Sequence, residues 1–531
     1  MDSRPGVALL PWLAAVVVAI ALFAVSCASD DVGQPDSVEP VEEVAEGSTG
    51  TPAPQCSTPI TLDPTDPVFL GGDSSGLPIQ GDVDCFAWQT FIALNWPVDP
   101  SWPASADAAG EPDRAATAST WGDPAAASGP YNLTTWESYT PAQNLFDPAT
   151  FSDGESPNAW GVPAATPSAC AGANLSASVE APRTISAPNK FGPAAALPAV
   201  VSVAGDAMGA NPSGTDEAAG GWLTDQAGKQ VWFERLTNRA EHEYITDPAH
   251  RLWTIAGQRT VATTAPQGIS LPTGVQPGDS VQTWDQLGAM ELKAAWRVMT
   301  GLSAEETARF HLAEAYIVDP TSGACSVEVL GLVGLHIIHK TQSFPNFAWA
   351  TFEHVDNVPS ANHPAPPFGY SFNDPSCDAT ECPVNVARTS VPPPPVTEPV
   401  QVARSVAIPQ EVQDLNAAVQ AMIASANADS TFQYYELVNV LWPKSPAPPF
   451  TSQGGVPPLQ APSMTSAGPN SPVANTTMET YVQRLNCTGC HTGAHVAVAQ
   501  ADTAACAAKP VQEPCYASDY SFLFQTATVS E

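Results

Sequence analysis

Near the carboxyl end stands Cys487-Thr488-Gly489-Cys490-His491, and these residue types at this spacing suit one kind of chemistry. Two thiols one helical turn apart can add to the two vinyl groups of a haem, and the adjoining imidazole then reaches the iron from the proximal side. The pattern predicts one covalent haem c, with Cys487 and Cys490 supplying the thioether sulfurs and His491 the axial ligand. A zinc site assembled with His495, Cys506 and Cys515 competes on residue type alone. The contiguous Cys490-His491 pair favours haem, and a plain Cys487–Cys490 disulfide leaves His491 without a role.

No methionine follows Met478, so an axial Met downstream of the motif, common in small single-haem cytochromes, is excluded. The alternatives for the sixth position are Met464, Met478, His495, a histidine of the larger body, or no ligand. On a strand His336 and His339 point to opposite faces and do not serve one metal. In Phe352-Glu353-His354-Val355-Asp356-Asn357, His354 and Asp356 share one face and Glu353 takes the other, an arrangement in which a carboxylate can raise the basicity of an imidazole. With Arg297 nearby, His354, Glu353, Asp356 and Lys293 are the candidates for proton transfer if the body acts on a substrate. The plainer reading of each histidine is a core residue with a hydrogen-bond partner.

Elements must position these groups. Thr476-x-x-Glu479 reads as a capping box and Met478, Val482 and Leu485 as one helical face, which predicts a helix running into the haem motif. In Met290–Val298 the apolar set Met290, Leu292, Ala294, Trp296 and Val298 alternates with Glu291, Lys293 and Arg297, predicting a half-buried strand. Phe310, Leu312 and Tyr316 repeat the alternation. Val327–Ile338 is apolar on both faces, as a central strand is, and Phe347–Val355 supplies another. Aromatics crowded between Cys85 and Pro97 predict a buried helix; Pro409-Gln410-Glu411 opens a second, through about Ser425, and Thr431–Leu441 carries Phe432, Tyr435, Leu437 and Leu441. Residues 98–230 read as long loops. The expected class is α+β: a β-rich body with helices and long loops over residues 55–390, Pro-rich linkers around helices over 391–474, and a C-terminal helical c-type haem module over 475–531.

The chain's 531 residues carry 18 Lys+Arg against 54 Asp+Glu, a formal net charge of -36. Such a surface repels phosphate backbones, which excludes nucleic-acid binding through a basic footprint. Only Arg484 and Lys509 are basic in the haem module, so a protein partner is expected to be basic or uncharged. The apolar run Val7–Val25 ends in Ala24-Val25-Ser26-Cys27, a lipoprotein-type signal over residues 1–27 with Cys27 placed for lipidation. A retained N-terminal helix is the alternative anchor. Residues 28–54 read as a disordered acidic tether, and the body as lying in the bacterial cell envelope, on the periplasmic or extracellular side. Eight cysteines remain in that oxidising compartment. Loop closure favours near neighbours: Cys377 with Cys382, Cys506 with Cys515, Cys56 with Cys85, and Cys170 with Cys325.

Taken together, the segments 88–97, 290–297, 331–357, 434–443, 475–491 and 518–524 resemble uncharacterised bacterial proteins of the cytochrome c family, which are long, exported and carry a single C-x-x-C-H. The resemblance implies one c-type haem with His491 proximal. The expected function is extracytoplasmic transfer of single electrons between redox partners or small-molecule donors and acceptors. The size of the body keeps open a c-haem oxidoreductase acting on peroxide or a small organic substrate, and a haem-based binding or sensor protein.

Overall fold

The computed structural model describes residues 56–65, 79–125, 133–176, 183–186, 223–265, 268–275, 286–319, 322–378, 380–386, 399–442, 473–484, 487, 491, 494, 496–497 and 516–529. The signal and tether with Cys27, most of the Pro-rich stretches, Met464, Leu485, Cys490, His495, Cys506 and Cys515 lie outside the described residues. Eight strands join one sheet: β1 (Thr140–Pro141), β2 (Arg183–Ile185), β3 (Trp232–Thr237), β4 (Met290–Val298), β5 (Leu312–Val318), β6 (Cys325–His339), β7 (Ala348–His354) and β8 (Tyr435–Leu441). The long β6 is the spine. β4 runs along one side of it, while β5 pairs with its first half and β7 with its second half on the other. β3 extends the sheet beyond β4 and β8 beyond β7. The six longer strands curl into half a barrel.

Helices α1 (Gln80–Leu94), α2 (Gln143–Phe146), α3 (Arg239–Thr246), α4 (Ile255–Thr264), α5 (Ala304–Thr307) and α6 (Gln410–Ala426) complete a mixed α+β fold. Twelve of the fifteen residues of α1 are buried, Asp82, Asp84 and Thr90 among them, so this helix is covered on all sides and forms the centre of a layer. Phe91 stacks on Phe352 of β7 at 4.4 Å between centroids, and Trp88 meets the same ring edge-on at 5.0 Å. Each such buried aromatic contributes roughly 1.5–3 kcal/mol of transfer free energy. The Trp88 indole donates to Oδ1 of Asn416 on α6 at 2.9 Å, which satisfies the one polar atom the ring carries into the core.

β4 is buried at all nine positions, where a half-buried strand was expected. The alternation is real, but the second face of the sheet is also covered. Ala295 lies in a cluster with Phe233, Val333 and Met478, while Ile338, Trp349 and Leu441 pack against Tyr520, Leu523 and Phe524. Glu291, Lys293 and Arg297 therefore enter a second interior layer instead of water. Arg297 is kept there by Asp225 at 2.6 Å and Glu306 at 2.7 Å.

The expected helix leading into the haem motif does not form over residues 473–484, which are turns and irregular segments; Cys487 and His491 are helical, but no C-terminal helical module is shown among the described residues. The donors that would start it are engaged elsewhere. Both N and Oγ1 of Thr476 donate to Glu353, and Nδ2 of Asn475 donates to Oγ1 of Thr351 and to the Phe352 carbonyl. Glu479 does reach back, but to N of Asn475 at 2.8 Å, one residue earlier than a box on Thr476 requires. The segment is docked onto β7 by its side chains instead of being coiled on itself.

Disulfides Cys56–Cys85, Cys170–Cys325 and Cys377–Cys382 are formed, three of the four expected pairings although Cys170–Cys325 joins distant positions, and they place the protein in an oxidising, extracytoplasmic compartment. Among the described residues no helix is long and apolar enough to cross a membrane.

Candidate functional site

Trp349 on β7 sets the position of the motif histidine. Its indole meets the His491 ring edge-on, 4.6 Å between centroids, and Phe522 lies against the same imidazole at 4.8 Å. Trp349 is itself fixed by donating Nε1 to the Asn346 carbonyl at 3.0 Å. Cys487 is half-buried and packs on the apolar cluster that contains Trp349, Tyr520 and Phe524.

Nδ1 of His491 lies 2.7 Å from the carbonyl oxygen of Tyr520. A carbonyl only accepts, so Nδ1 carries the proton, and the lone pair of the neutral imidazole resides on Nε2. Metal-bound histidines are commonly oriented in this way, one nitrogen donating to a backbone oxygen while the other faces the metal.

The turn that presents this carbonyl is held in a costly conformation. Asp519 (φ 55°) and Tyr520 (φ 67°) are successive non-glycine residues in the left-handed region, each costing of the order of 1–3 kcal/mol. Surrounding bonds impose it. Lys340, buried at the end of β6, forms an ion pair with Asp519, whose Oδ2 also accepts from N of Leu271 at 2.7 Å. The Tyr520 hydroxyl accepts from Nδ2 of Asn346 at 3.1 Å.

These residues fit a covalently attached haem on the chemistry of the donor set. His491 has its tautomer fixed with the lone pair on Nε2, Cys487 stands four positions before it in the chain and packs on an apolar cluster, and Trp349 and Phe522 flank the ring. For the sixth position, Met478 is fully buried beside Phe233, Met299 and Phe372, in a different cluster from Cys487. His336 is engaged at Nε2 by Glu479 at 3.0 Å, and His339 at Nε2 by the Leu287 carbonyl at 2.8 Å.

The four candidate proton-transfer residues do not converge. His354 donates from Nε2 to the Arg309 carbonyl at 3.0 Å and accepts at Nδ1 from N of Asp356 at 3.1 Å, so it is neutral and saturated. Burial pushes it down to about 4, against the favourable field of Asp356. The Asp356 carboxylate is held by Arg309, at 2.6 and 2.8 Å, and stands 3.9 Å from Nδ1 of His354, close enough to act on the imidazole but beyond hydrogen-bond reach. Glu353 points to the opposite face of β7, where it takes Thr476 and Arg404. Lys293 shares that second face, in register with His336 and, through it, with Thr351.

Tyr520, Asp519, Asn346 and Trp349 escape sequence reasoning, because the partners of each contact are far apart in the chain. The two consecutive left-handed residues in Ser518-Asp519-Tyr520-Ser521 have no glycine to mark them.

No family model, curated protein or solved structure matches this chain. Its function is read from the site's own geometry.

Proposed function

We propose that the chain is an extracytoplasmic monohaem c-type cytochrome, lipid-anchored through Cys27, that passes single electrons between redox partners. The observation that carries this reading is the 2.7 Å contact between Nδ1 of His491 and the Tyr520 carbonyl, within a C-x-x-C-H sequence. When bound, the haem supplies a reversible one-electron couple. The chain's part is to attach it through Cys487 and Cys490, to hold His491 in the ligating tautomer, and to exclude water from the proximal side with Trp349 and Phe522. A net charge of -36 favours a basic or uncharged partner surface.

Reversible redox titration of the purified full chain tests the proposal, followed by carbon monoxide or cyanide addition. The expected result is one one-electron wave and a low-spin spectrum that neither ligand perturbs. Ready binding of either ligand contradicts a simple electron carrier and favours the oxidoreductase or sensor alternatives.

A further inference from the structure

Beside the C-terminal turn, two carboxyl groups and two hydroxyls meet in the interior. Thr237 ends β3 in register with Glu291 on β4, and Glu241 projects from the first turn of α3. Thr237 and Glu241 are 0 % exposed and Glu291 2 %. The carboxyls of Glu241 and Glu291 face each other, and the Ser521 hydroxyl reaches Glu291; as ionised groups, neither oxygen of Glu241 nor Oε1 of Glu291 finds a donor, and Oγ1 of Thr237 is likewise unsatisfied. An ionised carboxylate buried in this way costs several kcal/mol. A proton shared by two carboxyls converts one into a donor and satisfies both.

The charged groups around the pair are Arg235 of β3 and Lys293 of β4, which act on Glu291 together with the Ser521 hydroxyl, and Lys340 with its partner Asp519, which act on Glu241. Burial first, then repulsion from Glu291, holds Glu241 well above the ordinary carboxylate range; burial raises Glu291 against the pull of Ser521 and Lys293. With three cationic side chains already present, a divalent metal is a poor occupant. A proton is the smallest charge that relieves the lone oxygens.

Resting on the haem reading above, we infer that Glu241 and Glu291 form a proton-binding site that takes up one proton when an electron arrives at the iron held by His491. One turn joins the two places. Asp519 and Ser521 face the carboxyl pair, and the Tyr520 carbonyl between them holds the His491 imidazole, which would bind the iron. The balance is one electron from an external one-electron donor to the ferric iron and one proton from solvent hydronium, whose O–H bond breaks, leaving water, as the carboxyl O–H bond forms.

The test is redox titration of the full-length holoprotein between about pH 5 and pH 9, for the unaltered chain, Glu241→Gln and Glu291→Gln, with redox-difference infrared spectra. The midpoint should fall as pH rises, approaching a tenfold change in the reduction equilibrium per pH unit, about 59 mV, and either variant should flatten the slope. A protonated-carboxyl band should appear on reduction and shift with isotope-labelled glutamate, which separates it from the carboxyls of the haem itself. That band is read on the unaltered chain, so it decides the matter even if both variants fail to fold. A covalent haem with a pH-independent potential and no such band overturns this inference and leaves the cytochrome reading intact. Absence of covalent haem overturns both, and a stoichiometric divalent metal in the purified protein overturns the proton assignment.

Discussion

The Tyr520 carbonyl accepts a hydrogen bond from Nδ1 of His491 at 2.7 Å, across 29 residues of chain. The residue that supplies this oxygen stands in a left-handed backbone conformation that only its neighbours maintain. Strain, ion pair and tautomer form one connected arrangement: Lys340 fixes Asp519, Asp519 and Asn346 fix the turn, and the turn fixes the proton on His491.

Lys340→Met should break that chain at its buried end. Burial already raises the Asp519 carboxyl against the pull of Lys340; without its counter-ion it must either stay charged or be protonated in the interior, and breaking such a buried pair typically costs about 3–5 kcal/mol. Chemical denaturation of the full chain should show a lower midpoint at unchanged slope. A loss under about 1 kcal/mol would mean that the ion pair does not hold the turn.

Acid should destabilise the fold through three buried imidazoles. Burial lowers His242, His339 and His354 each to about 4, against about 6.5 in the unfolded chain. Below the unfolded value the unfolded state binds protons that the native state refuses. The stability is therefore complete above about pH 6.5 and is lost as pH falls through about 4, by roughly 3 kcal/mol for each histidine. Denaturation at stepped pH should show this slope, and His354→Phe, which keeps a ring against Phe310, should reduce it by about one third. The same variant should leave the haem spectrum unchanged; a shifted spin state would return His354 to the list of ligands.

Elements whose residues satisfy one another locally were legible. β4 announces itself by alternation, and α6 by Pro409 before a run in which Val412, Leu415, Val419 and Ile423 fall on the buried face. What sequence could not reveal is what lies over each face. Glu291, Lys293 and Arg297 look solvent-facing until a second layer covers them. Thr476 and Glu479 look like a helix start until Glu353, 123 residues away, takes the Thr476 donors. At the site, Cys487 and His491 were legible because the C-x-x-C-H pattern is local in sequence. The Tyr520 carbonyl was not, since a backbone oxygen carries no residue-type signature.

Cys170–Cys325 joins positions 155 residues apart and ties the start of β6 to the loop region preceding β2. Replacing both cysteines with serine should lower stability by roughly 2–5 kcal/mol while leaving haem attachment unaffected. Loss of the bound haem in this variant would show that the bridge shapes the site directly.

Trp349→Ala removes a buried ring that contacts both Phe347 and His491. The expected cost is about 3–5 kcal/mol of stability, together with a shifted reduction potential, because water gains the side of the imidazole that the indole now covers. Loss of stability without any change in potential would assign Trp349 to packing alone.

The most direct test of the account is the intact mass and reduced pyridine spectrum of the mature exported protein, beside Cys490→Ser. The account predicts one added haem with the two-thioether spectrum in the unaltered chain, and little or no stably attached haem in the variant. An exported chain of unmodified mass, or a normal two-thioether spectrum in Cys490→Ser, would contradict it.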